Sequence, residues 1–452
     1  MQKFFLWTLM AIVAIAPLPL GSNRPLGWSL LSIEVGLLLG LWALHHLWTG
    51  QSLAVPIRRV RVPLIFFSIT CLWVLVQLIP GIPFGLAHPG WTEVSNFFGE
   101  EVPGRITIDP DWTATILMRW LSYAGVFWLS LQLCRDQAAA NTALKAFAII
   151  SAIYALYGLV ALLGLEDTIF LYDKWTGKGS LSSTFVNRNS YATFAGLGLI
   201  STVALIAAAG RKRSGQARKM RDRIFEFLSH SFSKNMWLYL GFFLIASALL
   251  LTGSRAGALS ATAAIILLVW QLARGGKKSS VPQASRAALV LIIGGVSVVL
   301  SGGLLEDRFA AGGDPQRLEV YQQTFDAFED HVVLGSGLGS FPEIFPLYRR
   351  DGTLRQAFVE KAHNAYLENM LELGLPAAAS LFLALGGLTL MCWRGGIERA
   401  RDRHFALLGV AASVLVGLHS LVDFSLQIPA VTVSYMYLMG IAVAQSFSSR
   451  KR

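Results

Sequence analysis

Apolar runs of membrane-spanning length recur along almost the whole chain, separated by short polar gaps. A helix needs roughly 20 apolar residues to cross the hydrocarbon core of a bilayer. Runs near that length lie at residues 4–20, 28–48, 62–79, 112–134, 143–164, 187–209, 236–252, 255–273, 287–304, 371–393, 405–422 and 428–447. The pattern predicts an all-α polytopic membrane protein with about twelve spans. It forms one integral membrane domain over residues 1–452, in which 54% of the residues are hydrophobic.

The charged residues between the runs predict the orientation of the chain. Every second gap is basic, and these gaps are residues 58–61, 211–223, 274–286, 394–403 and 450–452. Basic loops stay on the cytoplasmic side, so both termini are predicted to be cytoplasmic. The same gaps account for the net charge of +11, so the charge does not indicate a nucleic-acid partner. The three cysteines lack metal-ligand spacing and are predicted to be packing residues.

The longest polar segment, residues 305–370, follows the ninth predicted span and is predicted to be a large extracytoplasmic loop. Apolar residues recur near helical spacing from Gln316 to His331, which predicts a helix lying on the membrane surface. The glycines from Gly335 to Gly339 then predict a turn. A phosphate-binding loop is the alternative, but the lysine and the strand-to-helix context of such loops are missing.

Arginines lie at the outer ends of several predicted spans. Arg255 and Arg317 are candidates to hold a lipid-linked diphosphate, because a guanidinium group binds phosphate oxygens in pairs. Arg188 is a weaker candidate for binding phosphate or sugar hydroxyls. Each has a structural alternative: Arg255 could snorkel to the headgroups, Arg317 could be solvated, and the asparagines beside Arg188 could cap a helix. Arg119, inside the fourth predicted span, is predicted either to be paired or to face a cavity.

His363, near the end of the long loop, is the candidate for proton transfer. Imidazole titrates near neutral pH and can take a proton from a sugar hydroxyl as its oxygen attacks. Glu360, Glu368 and Glu372 are nearby carboxylates that could orient it. A lone histidine in a loop is also a common structural or solvated residue, so both interpretations stay open.

The segment from His363 to Gly374 resembles the signature of the O-antigen ligase and O-antigen polymerase superfamily. Further elements are similar to that family's pattern: Thr184 to Asn189 (Phe-x-Asn-x-Asn), Ser254 to Gly257 (Ser-Arg-x-Gly), Arg317 with Gly335 to Gly339 (the start of the large periplasmic loop), and His419 to Pro429 (the end of the penultimate helix). The resemblance covers about residues 180–430. The first five predicted spans match mainly in hydropathy.

The resemblance implies a GT-C-like inverting glycosyltransferase of the bacterial inner membrane that needs no metal or other cofactor. It would transfer a glycan from undecaprenyl diphosphate, on the periplasmic face, to an acceptor glycolipid. Arg255 and Arg317, with Arg188 as a less direct match, would bind the donor diphosphate, and His363 would activate the acceptor hydroxyl. Supporting residues under the same resemblance are Asn364, Tyr366, Glu372, Asp423, Asn187 and Asn189. Membrane lipids are the remaining expected partners.

The motifs do not show which of two possible acceptors the protein uses. The combination of Arg255, Arg317 and His363 favours an O-antigen ligase that acts on lipid A core. The alternative is an O-antigen or exopolysaccharide polymerase that joins lipid-linked repeat units. A twelve-span transporter is a different class, but the halves show no 6+6 similarity and the 305–370 loop is atypical of one. A structural component of an envelope complex would need neither the arginines nor the histidine.

Overall fold

The computed structural model of the chain describes residues 1–164, 168–170, 172–211, 232–274, 315–350, 359–399 and 401–447. Within these residues the fold is helical apart from an antiparallel hairpin of β1 (Thr168–Ile169) and β2 (Tyr172–Asp173). The helices are α1 (Gln2–Ile15), α2 (Pro25–Thr49), α3 (Arg61–Gln77), α4 (Gly90–Phe98), α5 (Pro110–Leu133), α6 (Gln137–Gly164), α7 (Arg188–Arg211), α8 (Phe232–Leu251), α9 (Arg255–Arg274), α10 (Pro315–Asp330), α11 (Phe341–Ile344), α12 (Ala365–Leu373), α13 (Leu375–Glu398), α14 (Arg403–His419) and α15 (Pro429–Ser446).

The predicted all-α membrane class is confirmed. Each predicted span coincides with one of these helices except the ninth, near 287–304, which lies outside the described residues. Six of the described helices, α2, α5, α6, α7, α9 and α13, are long and apolar enough to cross a membrane by length and composition. The number of twelve spans stays a prediction.

The helices run alternately up and down, which gives the bundle two distinct ends. At one end α2, α5, α7, α9, α13 and α15 begin and α1, α3, α6, α8 and α14 end; we call it the site end. Local sequence marks the helix starts there. Pro110, after Asp109, begins α5, and the Asp109 carboxylate accepts a hydrogen bond from the Trp112 amide at 2.9 Å. Proline fits the first turn of a helix because the N–H groups of that turn have no acceptor within the helix, so the N–H that proline lacks costs no hydrogen bond.

Helix α15 lies at the centre of the bundle and is buried on nearly all sides. It packs against α5, α14, α13 and α7. Close approach depends on small residues, because a β-carbon on Gly409 of α14 would lie 2.6 Å from the β-carbon of Ala442. Cys392 and Cys134 are fully buried free thiols, as their predicted packing role requires, and Cys71 is half-buried.

The described part of the predicted large loop folds as a small unit on the site end. The predicted helix over Gln316 to His331 corresponds to α10. Its residues Val320 and Ala327 pack with Phe341, Phe345 and Leu371 in a core of their own. The apolar face of α10 is therefore used in part for packing on α11 and α12. Residues 305–314 and 351–358 of the predicted loop lie outside the described residues.

The glycine segment from Gly335 to Gly339 is a turn that holds this small unit against the start of α13. The amides of Ser336 and Gly337 donate to the carbonyls of Leu371 and Glu372, both at 3.0 Å. Gly335, Gly337 and Gly339 all have positive φ, the conformation that glycine adopts most readily. Since these two amides bind other backbone groups, they are not available to a phosphate.

Gly335→Ala tests the importance of this turn. The new β-carbon would lie 2.5 Å from the backbone nitrogen of Gly374, at a φ of +72°. We expect a loss of about 2 kcal/mol in the free energy of unfolding, measured by thermal unfolding in detergent. The control is Gly386→Ala in α13, where a β-carbon meets nothing within 4 Å and alanine favours the helix. Equal stability of the two variants would contradict the role assigned to the turn.

Candidate active site

A buried carboxylate, Asp423, lies at the centre of the polar residues on the site end, between α14 and α15. Its Oδ1 accepts a hydrogen bond of 3.2 Å from Nδ2 of Asn189, near the start of α7. Its Oδ2 accepts one from the Ser425 hydroxyl. Burial alone would raise the pKa of Asp423, but the Ser425 hydroxyl and the nearby imidazoles of His363 and His419 hold it below its ordinary value. The site therefore contains a fixed negative charge.

His363 lies beside this carboxylate. Its Nδ1 is 3.9 Å from Oδ1 of Asp423, which is longer than a hydrogen bond but within the range of an ion pair when the imidazole is protonated. The ring meets Phe424 edge to face, with centroids 5.0 Å apart. The backbone has a positive φ of 53°, uncommon for a residue with a side chain, and its carbonyl accepts a hydrogen bond of 3.0 Å from the Tyr321 hydroxyl. Its side chain is one-third exposed, so the ring faces both Asp423 and solvent.

The three arginines predicted to bind diphosphate reach this region from different elements. Nη1 of Arg317, on α10, donates to the carbonyl of Val422 at 3.3 Å, directly before Asp423. Arg188 begins α7, and its Nη1 is 3.5 Å from where a β-carbon on Gly253 would lie. Arg255, two residues after Gly253 in the chain, begins α9 and is half-buried. The structure therefore places Arg317 next to Asp423, and Arg188 at the turn that leads into Arg255.

The start of α9 packs closely against α7 and the end of α14. A β-carbon on Gly257 would lie 2.7 Å from the β-carbon of Ala192 in α7 and 3.4 Å from Cε1 of His419 in α14. Nδ1 of His419 lies 2.6 Å from the hydroxyl oxygen of Thr193, also in α7. The ends of α7, α9 and α14 thus meet within a few ångströms of one another, and each carries a candidate site residue or leads into one.

Three more of the predicted supporting residues make hydrogen bonds around the site. The Asn364 side chain accepts hydrogen bonds of 3.1 Å from the amides of Tyr366 and Leu367 and so begins α12 immediately after His363. The Tyr366 hydroxyl donates to the carbonyl of Gly417 in α14 at 2.9 Å. Asn187 accepts a hydrogen bond of 2.7 Å from the Asn189 amide and so fixes the start of α7. These contacts position His363 and Asn189 relative to Asp423.

Of the nearby carboxylates, it is Glu368 that contacts the segment before His363. Its two oxygens accept hydrogen bonds from the Ala362 amide at 2.9 Å and from Nζ of Lys361 at 3.2 Å. Glu372, one helical turn further along α12, instead accepts a hydrogen bond of 3.3 Å from the Phe341 amide. Burial, and then the charge of Glu368, raise the pKa of Glu372 above its ordinary value.

A large apolar groove runs along the bundle from the site end. Its volume is about 1150 Å³, and α3, α5, α13, α14 and α15 line it together with residues of α12. Lys361, Glu368 and Asn369 lie at the site end, whereas Val60 and Pro63 lie at the other. Leu72 and Leu121 line the groove and are more than half exposed, so it is open along one side. Because α3 has 17 residues, the groove extends over about 25 Å.

Arg119, for which the sequence left two interpretations, satisfies both. It is buried, and its guanidinium donates to the Gln427 carbonyl and, at 3.2 Å, to the Tyr123 hydroxyl. It also lies 5.2 Å from the ring of Trp28 and lines the groove. Its described contacts tie α5 to the short segment between Asp423 and α15.

The fold and the site together define a helical membrane protein with a charged polar site at one end of the bundle and an apolar groove beside it. Residues 240–382 match the model of the O-antigen ligase family. The match supports membership of the O-antigen ligase superfamily, which confirms the resemblance found in the motifs and indicates an enzyme of the glycosyltransferase type. It includes Arg255, Arg317 and His363, while Arg188, Asn189 and Asp423 lie outside it. A comparison with curated proteins gave no match.

Several residues at the site were not singled out by the sequence. Thr193, Ser425 and Tyr321 contact His419, Asp423 and His363, but lone hydroxyl residues carry no local signal of such a role. Lys361 lies two residues before His363, just outside the segment that resembles the family signature, and this proximity was the available signal for it. The groove has no local signal either, because its lining comes from helices far apart along the chain.

The lowered pKa of Asp423 gives a pH-dependent prediction. Because the folded state binds this proton less tightly, the ionised carboxylate stabilises the fold at neutral pH, and that contribution is lost as the pH falls through the lowered pKa. We expect Asp423→Asn to be about 1–3 kcal/mol less stable than the wild type near pH 7, measured by thermal unfolding in detergent. This difference should begin to shrink as the pH falls below about 4 and should be lost only below the lowered pKa of Asp423.

The control for this variant is Asp326→Asn, at an exposed ion pair with Arg350. Exposed pairs contribute little, so its stability should stay near that of the wild type at both pH values. A loss for Asp423→Asn that did not depend on pH would show that the charge of Asp423 is not what stabilises the fold.

Proposed function

We propose that the protein is a glycosyltransferase that moves a glycan from undecaprenyl diphosphate to an acceptor sugar, as an O-antigen ligase acting on lipid A core. The observation that carries the proposal is the convergence of a histidine, a buried carboxylate and an arginine at one end of the bundle. His363 lies 3.9 Å from Asp423, and Arg317 donates to the residue before Asp423. These are the groups that glycosyl transfer from a diphosphate requires.

In this mechanism His363 is the general base. The acceptor hydroxyl attacks the anomeric carbon of the donor, and the imidazole takes the hydroxyl proton as the new carbon–oxygen bond forms. The bond from the anomeric carbon to the diphosphate breaks at the same time, and its electron pair leaves with the diphosphate. Asp423 faces Nδ1, so it stabilises the imidazolium ion while Nε2 faces the acceptor. Attack opposite to the leaving group inverts the anomeric centre.

The diphosphate leaving group carries negative charge, and the arginines supply positive charge to bind it. Arg255 lies at the first turn of α9 and Arg188 at the first turn of α7. Helix N-termini add partial positive charge and amide donors to the guanidinium groups. Such preorganised donors stabilise the charge that develops as the diphosphate leaves. The charge of the leaving group is balanced by the protein's own side chains in this proposal.

The groove supports a lipid-linked donor. A polyprenyl chain needs an apolar surface that is open to the bilayer and ends near the reacting atoms. The groove is lined mostly by apolar side chains, is open along one side and reaches Lys361 and Ala365, on either side of His363 in the chain. Its length of about 25 Å approaches the thickness of the hydrocarbon core. The lipid tail would therefore enter sideways from the membrane.

Complementation of a gene deletion in the source bacterium tests this function. We expect the wild-type gene, but not His363→Ala, to restore transfer of glycan to the acceptor, because the variant lacks the base. Lipid-linked intermediates and envelope glycans would be resolved by gel electrophoresis and mass spectrometry. The control is His45→Ala, in the last turns of α2 at the opposite end of the bundle, which should complement fully.

The intermediates distinguish the possible functions. Long polymer on the lipid carrier with unmodified lipid A core would support the ligase. Single repeat units on the carrier or on the core would indicate the polymerase instead. Full complementation by His363→Ala, with normal protein level in the membrane, would contradict the proposed mechanism for either enzyme.

Arg255→Gln tests the diphosphate site. Loss of one preorganised donor to a developing negative charge lowers the turnover rate about 100-fold or more. Arg255→Lys should fall between this variant and the wild type, because lysine keeps the charge but not the paired donors. The assay is transfer from purified lipid-linked donor in detergent. The control is Arg274→Gln, at the other end of α9, where the arginine stacks 3.7 Å from Trp270; equal activity of the two glutamine variants would exclude Arg255 from the site.

A further inference from the structure

A second cluster of arginines lies at the end of the bundle opposite to His363. Arg59 belongs to a short turn before α3, Arg135 lies between α5 and α6, and Arg399 follows α13. All three meet at Phe447, directly after the end of α15. Residues far apart along the chain thus bring three guanidinium groups to one place that the proposed transfer reaction does not use.

Two of these guanidinium groups share one acceptor. Nη1 of Arg135 lies 3.3 Å from the Phe447 carbonyl oxygen, and Nη1 of Arg399 lies 3.2 Å from the same oxygen. Arg135 also donates to the carbonyl of Ala444 at 3.2 Å, and Arg399 to that of Gln445. Arg59 contacts the other side of the residue, with its guanidinium carbon 5.1 Å from the centre of the Phe447 ring.

The charges of the three guanidinium groups interact with one another. Burial, and then the charges of Arg399 and Arg59, lower the pKa of Arg135, so the three groups repel one another. Burial also lowers the pKa of Arg399, and the charge of Asp402 opposes part of that lowering. The carbonyls at the end of α15 contribute roughly half a negative charge. Asp136, next to Arg135 in the chain, accepts hydrogen bonds from the amides of Ala138 and Ala139.

Exposed apolar side chains lie close to the arginines along the chain. Ile57, two residues before Arg59, is 49% exposed, and Ile397, two residues before Arg399, is 65% exposed. A soluble anion would gain nothing from these side chains, whereas the acyl chains of a lipid would cover them. Arginine forks bind phosphate oxygens in pairs, and three guanidinium groups here all contact one residue, Phe447.

We propose that Arg59, Arg135 and Arg399 form a binding site for the phosphate of an anionic phospholipid headgroup, with the acyl chains lying over Ile57 and Ile397. The lipid links the ends of α3, α13 and α15 and the connection between α5 and α6. This site is independent of the proposed glycosyl transfer, because it lies at the other end of the bundle and shares no residue with it.

The test compares binding of phosphatidylglycerol and phosphatidylcholine of equal chain length to the purified full-length protein, by native mass spectrometry. We expect the wild type to prefer phosphatidylglycerol and Arg59→Gln to bind it about tenfold more weakly. Arg59 contacts the ring of Phe447 rather than the carbonyls that end α15, so its loss should leave the thermal unfolding temperature in phosphatidylcholine unchanged. Arg58→Gln, in the same turn and with the same charge change, is the control.

The outcomes separate the possible explanations. Weaker binding by Arg59→Gln and Arg399→Gln, but not by Arg58→Gln, supports the site. Equal binding by all variants overturns it and leaves Arg135 and Arg399 as caps of α15. Displacement of phosphatidylglycerol by inorganic phosphate at millimolar concentration would assign the cluster to a soluble anion and overturn the lipid assignment.

Discussion

The site end of this bundle depends on one buried carboxylate. Asp423 is removed from solvent, and a carboxylate in that position is unfavourable unless donors surround it. Two donors come from separate parts of the chain, Asn189 from α7 and Ser425 from its own loop, and the His363 imidazole, from the segment before α12, lies 3.9 Å from the carboxylate. Satisfying Asp423 therefore requires these three segments to meet. The same requirement that stabilises the fold brings a histidine to a negative charge.

Small side chains make this meeting possible. Gly257 lets α9 approach α7 and α14 so closely that a β-carbon would lie 2.7 Å from that of Ala192. This gives a physical reason for the glycine in the Ser-Arg-x-Gly element, because the same approach carries Arg255 to the site end. Ser254 accepts a hydrogen bond of 3.4 Å from the Gly257 amide and helps to begin α9. The four residues from Ser254 to Gly257 thus contain both the glycine that allows the close packing and the arginine of the proposed diphosphate site.

The sequence predicted the helices well because hydropathy and helix starts are local properties. From short motifs it also singled out residues that the structure brings close together, among them His363, Asp423 and Arg317; their roles in a reaction stay a prediction. It did not predict which carboxylate contacts which group. Glu360, Glu368 and Glu372 were equal candidates to orient His363, and in the structure Glu368 binds the segment before it whereas Glu372 binds the Phe341 amide. Nor did it predict the bond between Asn189 and Asp423, which are 234 residues apart along the chain. Such contacts depend on how the helices pack, and no local period or spacing reports that.

Helix α12 connects the two parts of the proposed reaction. Its first turn is fixed by Asn364, directly after His363, while Tyr366, Glu368 and Asn369 on its other face line the groove. Glu368 contacts both parts, because it lines the groove and its carboxylate oxygens also bind Lys361 and Ala362, the two residues before His363. His363 lies two residues before the first residue of α12, and its ring is 3.9 Å from Asp423, a separation longer than a hydrogen bond. The groove and the proposed base therefore meet at the same short helix, since α12 lines the groove and begins directly after the segment that holds His363.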